Sequence, residues 1–394
     1  MEATAHALRA GEPQDVRPGL GGRELALLKR RLRIAVIYNG DRAAPQAVIN
    51  RTHNPRSDKS YRPVAEDIAR ALGNCGFEAV ELLADDLTLP GRLREKGIHF
   101  AWLNTAGVQG YDAAAHTPAL LELAGIPYVG HRPLLAVTLD NKHVFKRELA
   151  GLGLPTAPFH VCDGAQGGVE VTADPRFLAA FGDWPGPFVV KPVSGRGSIG
   201  VHFVPDRAAL AAAVRAVYDT TLNQVLIETY LPGREYCVSV CGRTVVRGGE
   251  PSQQAAPFAF SALERRLEPD ERIFTSMDVR PITRERTRLI EPSEEPLRGE
   301  LLALARRVYR DFNLRTLVRL DLRADDAGRL HILEANPKPD LKRPDGGALS
   351  LVCAGLQDEG MSYEDLILSL LADRLDFYLR HRRAAIQHIV GLLE

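Results

Sequence analysis

The chain has 394 residues, room for two or three domains with full-sized cores, which excludes a lone small module. Its 50 Lys+Arg cancel its 50 Asp+Glu, and 45% hydrophobic with 25% charged residues match an ordinary globular protein. The balance excludes broad nucleic-acid affinity, which runs on an excess of phosphate-neutralising side chains.

Residues 1–30 are rich in Ala, Gly, Arg and Pro without a sustained period and are expected to form a mobile leader, with a short helix near 25–32. From Arg33 the pattern is strand (34–38), a long polar loop, a helix opened by Pro63 and capped at Gly73, then strands at 78–83 and 98–103. A helix over 114–124 and a short strand at 127–129 follow. This alternation predicts a parallel sheet in an N-terminal α/β domain, residues 31–130. A helix near 141–152 leads into a central α+β domain, 131–224, with strands at 188–191 and 200–204. A third domain, 225–375, carries strands at 225–228, 236–240, 317–322 and 329–334 and a helix at 298–312. A last helix, within 376–394, reads either as a homodimer contact or as a packed appendage.

Cys75, Cys162, Cys237, Cys241 and Cys353 are odd in number and scattered, which suits a reducing compartment. Cys237 and Cys241 fall in one strand, roughly 13 Å apart, too far to share a metal or a disulfide. No stretch is long and apolar enough to span a membrane, so a cytoplasmic location is expected.

Three segments carry chemistry. Phe188-Val189-Val190-Lys191-Pro192-Val193-Ser194-Gly195-Arg196-Gly197-Ser198-Ile199-Gly200 joins two strands. Its glycines let N–H groups converge, Ser194 and Ser198 add hydroxyls, and Lys191 supplies a point charge, all of which suit phosphate oxygens. The other reading is a hairpin turn whose glycines accommodate positive φ. It is not a Walker loop, because the lysine precedes the glycines and a strand follows.

The second segment is a strand pair, 317–322 and 330–336. Alternate residues share a face, so Arg319 points with Asp321 and Glu334 with Asn336. Two carboxylates and an amide oxygen suit magnesium; a solvated pair of faces with an Arg319 salt bridge is the alternative. The third segment, 225–235, is a buried strand ending in a turn. Glu228 or Glu235 there suits an adenine amino group or ribose hydroxyls, with free backbone groups near Leu231 reading the adenine edge; rim charges are the alternative.

Together these pieces resemble the ATP-grasp superfamily and, within it, the D-alanine:D-alanine ligase-like branch. The resemblance begins with Leu121-Glu122-Leu123-Ala124-Gly125-Ile126-Pro127-Tyr128-Val129-Gly130, continues through Asp140-Asn141-Lys142 and Gly153-Leu154-Pro155-Thr156-Ala157-Pro158, and takes in the three segments above, covering roughly residues 33–372. It implies a three-domain fold with ATP between the central and C-terminal domains. Lys142 and Lys191 would contact ATP phosphates, with Ser194, Gly195, Gly197 and Ser198 in the covering loop. Glu228, Leu231 and Glu235 would hold adenosine, and Asp321, Glu334 and Asn336 two Mg2+ ions. Arg319 would face the acyl phosphate, and Arg265 or Arg266, on a long flexible loop over 253–276, would reach the γ-phosphate. The implied activity is ATP-dependent joining of a carboxylate and an amine through an acyl phosphate, with release of ADP and phosphate.

Two departures argue against D-alanine itself. Asn39-Gly40-Asp41-Arg42-Ala43-Ala44-Pro45 stands where the family has a Ser-Ala-Glu-type stretch, so Asp41 alone can stand in for its acidic residue. The loop 41–62 is basic, which reads as an acidic-substrate contact or a plain surface loop. After Asn336, Pro337-Lys338-Pro339-Asp340-Leu341-Lys342-Arg343 replaces a Pro-Gly turn and a serine. Lys338, Asp340, Lys342 and Arg343 become candidate substrate contacts, with Lys342 or Arg343 pairing a carboxylate. The expectation is a ligase of small amino-acid-like substrates in a specialised biosynthetic pathway. The alternatives are D-alanine:D-alanine ligase activity or nucleotide binding without turnover.

Overall fold

The computed structural model describes residues 19–40, 61–108, 110, 112–166, 171–195, 197–274, 282–344 and 349–394. Within the expected leader, Gly22–Arg31 (α1) is an amphipathic helix that buries Leu25 and Leu28. Strands Arg33–Asn39 (β1), Ala79–Asp85 (β2), Phe100–Asn104 (β3) and Tyr128–Val129 (β4) form the expected parallel sheet, in the order β2-β1-β3-β4. Helices Arg62–Asn74 (α2), Leu89–Glu95 (α3) and His116–Leu123 (α4) make the connections, α2 carrying Pro63 in its first turn where a missing N–H costs nothing.

Pro133–Asp140 (α5) and Lys142–Gly151 (α6) meet at Asn141, whose Oδ1 accepts from His143 N at 3.1 Å and Val144 N at 3.2 Å and so caps α6. The central sheet contains Phe159–Cys162 (β5), Phe188–Pro192 (β6), His202–Val204 (β7) and Val225–Thr229 (β8) in the antiparallel order β5-β8-β6-β7. Pro175–Phe181 (α7) and Leu210–Thr221 (α8) close one face over Phe188, Val190, Val225 and Ile227. The expected boundary at residue 225 is therefore corrected: β8 is hydrogen-bonded between β5 and β6 and belongs to the central domain. Conversely, Leu139 of α5 and Phe145 and Leu149 of α6 share their core with the third sheet.

That sheet is antiparallel, in the order β13-β12-β9-β14-β15, from Glu235–Cys241 (β9), Phe258–Arg265 (β12), Thr287–Leu289 (β13), Val318–Ala324 (β14) and Leu330–Asn336 (β15); Thr244–Arg247 (β10) and Glu250–Gln253 (β11) make a separate hairpin. Leu297–Asp311 (α9) covers one face through Leu301, Ala305 and Val308. The flexible loop expected over 253–276 is corrected too. Phe258–Arg265 is a strand with Phe258, Phe260 and Leu263 buried, and 275–281 lie outside the described residues.

The last long helix is Tyr363–His381 (α10), not 376–394. Ser362 caps it, accepting from Asp365 N while Asp365 accepts from Ser362 N, a reciprocal box that fixes the start. Its continuous apolar run hid that start from a reading by periodicity. Leu366, Ile367, Leu370, Leu371 and Leu375 join one core with Trp102 of β3, Ile68 of α2 and Leu28 of α1. The helix is the seam between the first and third domains. All five cysteines are free, and among the described residues no helix is long and apolar enough to cross a membrane.

Replacing Leu371, fully buried in this seam, with Ala is expected to cost about 2–5 kcal/mol in denaturant unfolding. An unchanged unfolding midpoint would show that α10 does not join the two domains.

Candidate active site

A cavity of about 700 Å³ opens between the central and third sheets and reaches the start of α2. Its volume is that of a cleft for one drug-sized ligand. Val189, Val201, Leu231, Phe274 and Leu333 line it with apolar side chains contributed from both sides. The main-chain N–H and C=O of Leu231 find no partner among the described residues, the condition for reading a planar hydrogen-bonding edge.

The floor is charged. In the pairing of β6 with β8, Val189 lies opposite Glu228, which brings Lys191, two residues along, to the same face. Lys191 Nζ is 2.5 Å from Glu228 Oε1, and Lys146 Nζ from α6 is 3.0 Å from Oε2. Burial alone would raise the Glu228 carboxyl, but the two ammonium groups outweigh it and hold it at about 2. Burial would lower Lys191, and Glu228 more than offsets that. For Lys146 burial prevails and lowers it, Glu228 opposing.

Above the floor, the backbone N–H of Lys142 donates to Val193 O at 2.6 Å, tying the start of α6 to the glycine loop. Gly197 (φ 77°) and Gly200 (φ 70°) take left-handed conformations there, and even Ser198 is held at φ 54°. Gly195, Gly197 and Ser198 line the cavity. Ser194 does not; Asn223 Nδ2 reaches its carbonyl and hydroxyl at 3.3 and 3.4 Å. Arg196 lies outside the described residues.

The facing wall is built by β14 and β15. Their register sets Asp321 opposite Glu334 and Arg319 opposite Asn336, so all four share one face. A bulge follows: Leu322 pairs with Ile332, leaving Leu333 extra and turned with Glu334 into the cavity. Asp321 is almost fully buried and accepts from Arg319 Nε at 2.9 Å, Arg319 Nη2 at 3.1 Å, Arg265 Nη1 at 3.0 Å and Asn336 Nδ2 at 3.4 Å. Burial opposes its ionisation, but Arg265 and Arg319 hold it below the usual carboxylate range. Glu334 meets Lys142 Nζ at 3.1 Å, where α6 lies against the third sheet.

Arg265 closes the end of β12. Its guanidinium lies between Asp321 and Glu235, 2.5 Å from the latter's Oε1, and stacks 5.0 Å from the Phe274 ring centre. Glu235 also meets Arg323 at 3.3 Å; burial raises its carboxyl, with both arginines pulling the other way. Arg266 is exposed and outside the lining.

At the outer end, Lys338 Nζ sits 3.4 Å above the Tyr61 ring centre, and Asp340 and Lys342 complete the lining. Arg343 is not part of it: its guanidinium pairs with Glu364, and its N–H donates to Asp67 Oδ2. Asp41 lies outside the described residues. Two polar residues escaped the sequence reading. Lys146 is fully buried and four residues from Lys142 on one helix face, a spacing that was visible. Ser350, whose hydroxyl donates to Asp340 O at 2.7 Å beneath the outer wall, gave no such signal.

Asp321, Glu334 and the Asn336 amide form a hard-oxygen set that fits a magnesium ion sharing its coordination with phosphate. Among the described residues no group of three His, Cys, Asp or Glu has metal-binding geometry, so the set relies on the amide and the ligand.

Lysines facing carboxylates across a cleft between two antiparallel sheets define an ATP-grasp enzyme. Residues 149–372 match the family model described as D-ala D-ala ligase C-terminus, and the chain belongs to that family of ATP-dependent carbon–nitrogen ligases. A D-alanine--D-alanine ligase of Gloeobacter violaceus is 28% identical over 319 residues, 79% of this chain and 95% of its own. An uncharacterized protein of Sinorhizobium fredii, y4sG, is 29% identical over 358 residues, 86% and 96% of the two chains. In fold, the chain is similar to the D-alanyl-alanine synthetase A of Vibrio cholerae (TM-score 0.64, 20% identity, 87% of this chain and 98% of that one). It is also similar to the Bacillus anthracis ligase complexed with ATP (TM-score 0.60, 21% identity, 91% and 99%).

Because Glu228 is held at about 2 against an ordinary 4.5, its contribution to stability is complete above about 4.5 and disappears as pH falls toward 2. Glu228→Gln leaves two buried ammonium groups without their carboxylate. It is expected to lose about 3–5 kcal/mol at neutral pH and to flatten the acid limb of the stability profile. Wild-type acid unfolding in this variant would show that the pair is not closed.

Proposed function

We propose that the enzyme activates a small, amino-acid-like carboxylate as an acyl phosphate at the expense of ATP and transfers the acyl group to an amine, with ADP and phosphate as products. The observation that carries this reading is the charge arrangement: Lys142 and Lys191 on one side, Arg319, Asp321, Glu334 and Asn336 on the other. Adenine occupies the apolar lining against Leu231, and the phosphates lie over Lys142, Lys191 and the glycine loop. Glu235 faces the adenosine side from its pocket between Arg265 and Arg323.

A carboxylate approaching the γ-phosphate brings two anions together, and the lysines lower that repulsion while holding the groups in line. Two magnesium ions held by Asp321, Glu334 and Asn336 would neutralise the remaining phosphate charge and polarise the transferred group. Arg319, fixed by two hydrogen bonds to Asp321, would stabilise the oxyanion that develops as the amine attacks. Arg265, held between Glu235 and Asp321, would meet the γ-phosphate.

Lys338 and Lys342 at the outer end favour substrates carrying an additional carboxylate over D-alanine, in a specialised pathway. The D-alanine--D-alanine ligases among its relatives support a second reading, dipeptide synthesis from D-alanine. Soluble, cytoplasmic operation on free small molecules accompanies either reading.

Incubation with ATP, magnesium and a panel of carboxylates and amino acids is expected to release ADP and phosphate for an acidic pair. AMP and pyrophosphate would overturn the mechanism. A D-alanine dipeptide would establish the second reading, a stable phosphorylated product would mark a kinase, and tight ATP binding without hydrolysis would mark a nucleotide-binding protein. Glu334→Gln is expected to lower metal-dependent turnover on the order of a hundredfold while the protein stays folded; undiminished turnover would remove Glu334 from the metal set.

A further inference from the structure

Lys146 has no exposed surface and does not line the cavity, yet it carries a charge into the floor of the site. Its Nζ lies 3.0 Å from Glu228 Oε2 as an ion pair and donates, at 2.6 Å, to Thr156 Oγ1. The Thr156 hydroxyl spends its own proton on Ile332 O at 2.9 Å, so its oxygen is fixed as an acceptor. The Phe159 ring lies beneath, 5.4 Å from Nζ. Glu228, the Thr156 oxygen and the Phe159 ring favour an ammonium there, against burial and the nearby Lys191 charge.

Stability alone gives no reason for it. Lys191 and Glu228 at 2.5 Å already form a balanced pair, and adding a third buried charge carries a desolvation cost that a methionine would avoid. The charge count gives a reason. Lys191 with Glu228 sums to zero, and a zero-charge pair offers little to an anion. Lys146 makes the sum +1 at the end of the cavity where Lys142, Gly195, Gly197 and Ser198 also lie. In a poorly solvated floor, one net unit of charge several ångströms away is worth about tenfold or more in anion affinity.

We propose that Lys146 is a positioning residue that neutralises the Glu228 carboxylate from behind, leaving the charge of Lys191 uncompensated toward the polyphosphate. The inference rests on the nucleotide placement given above, and the test separates the two. Affinities for ADP and for adenosine are measured by calorimetry in magnesium-free buffer, and the ratio of the two dissociation constants reports the phosphate contribution alone. Wild-type protein is expected to favour ADP; equal affinities would sink the nucleotide placement itself. In Lys146→Met the preference is expected to fall about tenfold or more, with adenosine affinity little changed. The double variant K146M/E228Q restores the +1 sum and is expected to regain most of the preference, although it lacks both side chains. A wild-type preference that K146M leaves intact, or a loss that the double variant does not recover, would overturn the role of Lys146. Should K146M not fold, Lys146→Arg carries the comparison: it keeps the charge and is expected to keep the preference, and a collapsed preference there would equally overturn the proposal.

Discussion

The placement of one helix, α6, governs the arrangement of the two sheets around the cleft. Its apolar face, with Phe145 and Leu149, is committed to the core of the third sheet, while its two lysines need carboxylates. Lys142 finds Glu334 on that same sheet, and Lys146 finds Glu228 on the central one. A helix buried against one sheet but neutralised partly by the other cannot let the two drift apart without stranding a charge, and a stranded buried charge costs several kcal/mol. The cleft is therefore a gap of defined width, spanned at its floor by ion pairs.

The outer wall obeys a similar rule with different forces. There the third domain meets the first through α10, whose buried leucines fill the space beneath β3 and α2, and through Arg343, which reaches Asp67 of α2 and Glu364 of α10. Tyr61, at the start of α2, is held in a left-handed conformation with its carbonyl accepting from Asn104 Nδ2 at 2.9 Å. Lys338 rests on its ring. The outer end of the cavity is thus lined from two domains, whereas the floor lies between the central and third.

Much of the fold was legible because its strands are either continuously apolar or strictly alternating. β1, β6, β9 and β14 were found nearly to the residue, and the alternation placed Arg319 with Asp321 and Glu334 with Asn336 on common faces. What stayed hidden depended on partners distant in sequence. Nothing in Val225-Leu226-Ile227-Glu228 reveals that it pairs with β5 and β6, and Phe258-Ala259-Phe260-Ser261 is adjacent to polar residues that made the segment read as loop. Lys146 looked like any surface helix lysine, because burial is set by what packs over a helix. The start of α10 did carry a signal, the Ser362 and Asp365 capping pair, but the apolar run behind it, Leu366-Ile367-Leu368, has no helical period to draw attention to it.

The bulge at Leu333 bears on how such a site can change. A regular strand presents one residue in two to a given face, so a carboxylate and its chain neighbour cannot both address a ligand. The extra residue lifts that restriction, setting a greasy contact and an acidic one side by side where adenosine and polyphosphate would adjoin. It also makes the length of β15 unforgiving. Loss of a single residue there would hand the inward positions to the wrong side chains, while the outer segment after Asn336 can vary in length and charge with the ladder intact. A change in the side chains offered to a ligand is therefore accommodated more readily in that segment than in the strand pair on which it is hung.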